Sequence, residues 1–161
     1  MFFWLESTPL ALWVSLSFWA YPVLLSVHIV GLSIVAGIYA MRDLRCLGVV
    51  SEPPLSLFVR LHRLALAGLA LNVVSGFLLF SSQATVLIES VPFLIKMACV
   101  GLASAIALII HARFSAAIVG QAHVGESDVL LESPAIQRLS VLSLALWLSA
   151  IVAGRLIAYI F

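Results

Sequence analysis

Four apolar runs, each long enough to cross a bilayer and each opened by proline, constrain this chain more than any other feature. A membrane helix needs roughly 20 apolar residues, and residues 22–46, 54–80, 92–119 and 134–160 all reach that length. Proline has no backbone N–H to donate and a φ already set for the first helical turn. All six prolines stand where a helix would begin, at Pro9, Pro22, Pro53, Pro54, Pro92 and Pro134, and none interrupts a span. Only 9% of the 161 residues are charged and 64% are hydrophobic, whereas an ordinary soluble domain carries roughly a quarter charged residues. The expected fold is all-α: an integral membrane four-helix bundle making a single transmembrane domain over residues 1–161. Thr8 is expected to cap a short interfacial helix over residues 9–19, which carries Trp13 and Phe18.

The spans leave short polar loops at 48–52, 81–90 and 121–132, of which only the last, with His123, Glu126, Asp128 and Glu132, offers much to a soluble partner. The start, Met-Phe-Phe-Trp-Leu-Glu, lacks the cationic region of a secretory signal, so it is expected to be retained. A net charge of +1 with basic residues scattered along helix ends argues against a nucleic-acid partner. Cys46 and Cys99 fall near opposite faces, which argues against a disulfide between them.

Lysine and arginine are retained on the cytoplasmic side of a membrane. Arg42, Arg45, Arg60, Arg63, Arg113 and Arg138 gather at one face, against Lys96 and Arg155 at the other. Both termini are therefore expected outside, in the periplasm of a cell with an inner membrane, with Trp4, Trp13 and Trp19 in the outer aromatic belt.

An ionisable side chain inside a membrane is costly and points to function, so the depth of the histidines is the most informative chemical signal. His62 stands eight residues in from Pro54 and His111 nine in from Gly120. At about 1.5 Å of rise per residue both lie roughly 12 to 14 Å from the inner ends. Two imidazoles at one depth on adjacent antiparallel helices suit a b-type haem, each giving one axial nitrogen to the iron. Ala65, Leu69, Asn72 and Gly76 share the face of His62, and Lys96, Val100, Ala103, Ser104 and Ala107 that of His111. These small faces leave room for a flat macrocycle or for close helix packing. Arg60, Arg63 and Arg113 stand near enough to anchor haem propionates.

His28 lies roughly 9 Å below the outer surface by the same rise, level with Lys96, Met97 and Arg155. That level predicts a second site, with His28 as ligand and either Met97 as a second axial ligand or an opening to a quinone or another redox partner. A stripe of Ser26, Ser33, Gly37 and Ala40 faces away from His28 and is expected to pack on a neighbouring helix or a second copy of the chain. Asp43, between Arg42 and Arg45, reads as local charge neutralisation or as a docking point for a partner subunit or lipid head group.

Five short motifs run along the chain: His28-Ile-Val-Gly31, Arg42-Asp43-Leu44-Arg45 with Gly48, Ser75-Gly76-Phe77 with Phe80, Phe93-Leu94-Ile95-Lys96, and His111. In these the chain resembles a group of small bacterial membrane proteins with four predicted spans. The resemblance implies the fold and points to His28, Lys96 and His111, without a reaction. In outline the chain is also similar to four-helix membrane cytochromes b and to copper-export accessory proteins with histidine-bearing helices. A di-haem cytochrome b has four axial histidines, and this chain has three within its spans. The expected function is haem-borne electron transfer or anchoring of a redox enzyme. The alternative is a non-redox partner subunit or small transporter whose histidines pair helices, bind a metal ion or relay protons.

Overall fold

The computed structural model describes residues 2–120, 133–157 and 159. The loop over 121–132, with His123, Glu126, Asp128 and Glu132, lies outside the described residues, as does the far end of the fourth span. Four long helices carry the fold: α3 (Ala20–Cys46), α4 (Leu55–Ser81), α6 (Val91–Gly120) and α7 (Pro134–Ile157). Among the described residues three short ones accompany them: α1 (Phe3–Glu6), α2 (Pro9–Leu16) and α5 (Ala84–Leu87). No strand occurs among the described residues. Within the most apolar stretch of each long helix only 22% to 28% of residues are buried inside the chain. The remaining apolar surface needs hydrocarbon around it, as in an all-α membrane bundle.

Helix boundaries follow local chemistry. Thr8 accepts a hydrogen bond from the Ala11 N–H at 3.3 Å, with Pro9 as the first helical residue of α2. That helix stops at Leu16, three residues short of the expected end, because Ser17 turns extended (ψ 125°) and its hydroxyl accepts the Ala20 N–H at 3.3 Å, starting α3. At the other end of α3, Gly48 adopts φ +72°, the left-handed conformation that glycine takes without a Cβ penalty. The paired bonds Gly48 N–H to Arg45 O and Val49 N–H to Leu44 O then satisfy two terminal carbonyls.

Packing is uneven around the ring of four helices. The α3–α4 and α6–α7 hairpins are each packed along their length, α3 meets α7 less extensively, and the α4–α6 seam is the thinnest. Where α3 crosses α4, a Cβ on Gly31 would fall 2.9 Å from both Asn72 N and Gly68 O, so the two backbones touch there. This corrects one of the two roles expected of the stripe of Ser26, Ser33, Gly37 and Ala40, that of packing on a neighbouring helix of the same chain. The stripe points mostly outward, and nothing lies within 4 Å of where a Cβ on Gly37 would be. Close packing instead uses the face of α3 that also carries His28, since three residues separate His28 from Gly31.

Before the bundle, α1, α2 and the link to α3 leave Phe3, Trp4, Trp13, Phe18 and Trp19 exposed, while Ala11 and Val14 are fully buried. The segment is pinned by Glu6, whose carboxylate accepts the Thr85 hydroxyl at 2.6 Å and the Thr85 N–H at 2.8 Å. The hydroxyl bond first, and then the N–H bond, hold the Glu6 carboxyl below the usual carboxylate range.

Candidate functional site

On α3 the buried residues His28, Gly31, Val35, Tyr39, Arg42, Asp43 and Cys46 recur at helical spacing and form one stripe from the outer level to the inner end. Two polar clusters hang on that stripe, separated by an apolar layer in which Val35, Ala65, Ala103 and Ala107 meet.

In the outer cluster, His28 Nδ1 lies 3.0 Å from Asn72 O and 3.1 Å from Ser75 Oγ. A backbone carbonyl only accepts, so Nδ1 carries the proton and Nε2 offers its lone pair. Ser75 Oγ donates in turn to Leu71 O at 2.7 Å. Around Nε2 stand two donors, Lys96 Nζ at 3.2 Å and Asn72 Nδ2 at 3.4 Å, and Asn72 Nδ2 also donates to His28 O at 2.9 Å. Gly76 makes room for the ring, since a Cβ there would lie 2.9 Å from His28 Cε1. Lys96 arrives from α6 past Gly154 of α7, whose Cβ position would be 3.7 Å from Nζ. Four helices thus converge on one imidazole and one amine. The one ion pair among the described residues is Arg42 with Asp43, so no carboxylate answers Lys96 there.

Of the residues expected at this level, only Lys96 reaches His28. Met97 is 53% exposed, because adjacent helical residues point about 100° apart, and Lys96 takes the inward direction. Arg155 is exposed and lies over the Tyr159 ring at 5.5 Å. Neither stands as a partner to His28.

The inner cluster brings His62 and His111 together, as their common depth predicts, but in a different geometry. The two rings stack face to face with centroids 3.5 Å apart and an 11° angle between planes. Tyr39 Oη lies 3.2 Å from His62 Nδ1. Arg42 sits 4.8 Å over the Tyr39 ring, donates to Ala107 O at 3.1 Å, and pairs with Asp43 Oδ1 through Nε at 2.9 Å and Nη2 at 2.6 Å. Asp43 is 0% exposed, so its partner is Arg42 and it does not face an outside subunit or lipid head group.

This arrangement does not fit a bis-histidine haem. Two metal–nitrogen bonds of about 2 Å each hold the ligating nitrogens roughly 4 Å apart and the ring centres farther still, whereas these centres are 3.5 Å apart with faces opposed. The small residues Ala65, Ala103 and Ala107 leave no slot, because the Tyr39 and Trp147 rings, 6.1 Å apart, pack over them. The recess at the histidines, bounded by Tyr39, Arg42, Phe58, His62, His111 and Phe114, has room for about one water molecule, far too little for a macrocycle. Arg60, Arg63 and Arg113, expected at propionates, are exposed. Among the described residues no three His, Cys, Asp or Glu side chains gather to hold a metal ion, and Cys46 and Cys99 are free thiols.

Sequence reasoning did not single out Tyr39, Trp147 or the burial of Arg42. The signal was present: Tyr39 and Arg42 follow His28 by 11 and 14 residues, which at 100° per residue returns each to within about 40° of its face. No protein-family model, curated protein or solved structure matches the chain.

Proposed function

We propose that the chain is a non-redox membrane protein, a small transporter or partner subunit, whose outer His28–Lys96 couple takes up and releases a proton inside the bilayer while its inner histidines join helices. The observation that carries this reading is the 3.2 Å approach of Lys96 Nζ to His28 Nε2. An ammonium at this depth has a neutral imidazole as its acceptor and no carboxylate in pairing distance among the described residues. A charge in that position is costly, so the couple holds one proton between two bases and exchanges it readily. The inner cluster neutralises itself through Arg42 and Asp43 and stacks its imidazoles on each other, which supports a structural role for it. The asymmetry of arginines supports an orientation with both termini on the non-cytoplasmic side, which in a bacterial inner membrane is the periplasm.

Nitrogen-15 NMR of histidine-labelled protein tests the couple. His28 is expected as the Nδ1–H tautomer, with an Nε2 shift that moves when Lys96→Met removes the amine. An Nε2 shift indifferent to Lys96→Met overturns the reading. So does a red preparation: detergent-purified protein from haem-replete cells is expected to be colourless, and a Soret band restores the haem-borne electron carrier as the better account.

A further inference from the structure

The outer couple has the parts of an activated amine. Lysine becomes a nucleophile when an apolar site and a neighbouring base relieve it of its proton. The base here is fixed in advance: Asn72 O and Ser75 Oγ take the Nδ1–H, leaving the Nε2 lone pair aimed at Lys96 Nζ. Lys96 is half-buried, not sealed, and Gly76 and Gly154 flank the couple with no side chains of their own. It is also the single lysine in the sequence.

Building on the proton-exchange reading above, we propose that Lys96 is a covalent site for a lipid-soluble aldehyde or ketone, which it binds as a Schiff base with His28 as the proton carrier. His28 Nε2 takes a proton from the Lys96 ammonium, and the free amine forms a C–N bond to the carbonyl carbon as the C=O π pair moves to oxygen. His28 gives its proton to that oxygen and recovers one from the nitrogen, leaving a neutral carbinolamine. It then protonates the hydroxyl, the C–O bond breaks, and water departs. The net change joins lysine ammonium and carbonyl to give iminium and water, with the imidazole restored and no electrons gained or lost. The iminium N–H points at Nε2 as the ammonium N–H does now. No acid group is required, which matches a cluster whose described members are all neutral or basic.

Decanal with cyanoborohydride, added at neutral pH to the full chain in nanodiscs, traps any imine as a stable adduct that intact mass and peptide mapping locate. One side-chain adduct per chain is expected, on Lys96 and told apart from any at the N-terminal amine by peptide mapping, forming about tenfold faster than on an N-acetylated single-lysine transmembrane peptide with its lysine at the same depth. His28→Gln is expected to slow labelling of Lys96 about tenfold by removing the base, and Lys96→Arg to abolish the adduct at position 96. Labelling no faster than the peptide overturns the proposal, and so does a folded His28→Gln protein that labels at the wild-type rate. Should His28→Gln fail to fold, the comparison with the peptide decides alone. If His28 responds to Lys96→Met by NMR but decanal does not react, covalent binding fails and proton exchange stands.

Discussion

The two polar levels of this bundle share helix α3 and a buried histidine each, yet they handle charge in opposite ways. At the inner level the cation and the anion are sequence neighbours, Arg42 and Asp43, and the guanidinium is further spent on a carbonyl and a ring face. At the outer level the cation comes from a different helix and, among the described residues, meets an imidazole and no carboxylate. A cluster whose charges cancel internally resists change, whereas one whose proton has two competing owners responds to whatever approaches. The contrast separates a structural histidine pair from a reactive histidine and lysine.

The strongest way to break the comparison is to unbalance the inner level. Asp43→Ala strands a buried guanidinium and is expected to destabilise the protein by about 3–5 kcal/mol, read as a lower unfolding midpoint or failed expression. A near-neutral effect would move the inner level into the reactive class. Next, Gly31→Ala forces a methyl into the α4 backbone and is expected to cost about 1–3 kcal/mol. It should also disturb the His28 signals three residues away while leaving those of His62 and His111 unchanged. Tyr39→Phe removes only the hydroxyl next to His62 and is expected to cost about 0.5–1.5 kcal/mol by thermal unfolding. The stacked ring beside Trp147 remains in that variant.

The smallest effect concerns the rim above the outer level. Glu6 has its carboxyl held below the ordinary value of 4.5, so its bond to Thr85 favours the folded state above that pH and is lost as pH falls through the lowered value. Protection of the Thr85 amide, measured against its intrinsic exchange rate at each pH, should therefore hold at neutral pH and decline on acidification below about pH 4.5. Glu6→Gln should remove most of that dependence.

Depth was legible in the sequence and direction was not. Counting in from the helix ends put His62 level with His111 and His28 level with Lys96, and the structure brings both pairs together. It could not say that Met97 points outward, that the stripe through Gly37 is bare, or that Tyr39 and Trp147 fill the middle. The reason is physical. In a soluble helix the polar face marks the outside, but around these helices both the lipid-facing and the core-facing sides are apolar, so the rotation of each helix about its axis leaves little trace in hydropathy. The buried polar residues were the better guide, because on α3 and again on α4 they recur on one face.

The unequal seams give the bundle a mechanical character. With α3 bound to α4 and α6 to α7, and with α4 and α6 barely touching, the molecule is two stiff covers hinged along α3 and α7. The stack of His62 on His111 is the clasp on the open edge. A load that parts the covers would act on that clasp first, which makes the imidazole pair a tie across the thinnest seam.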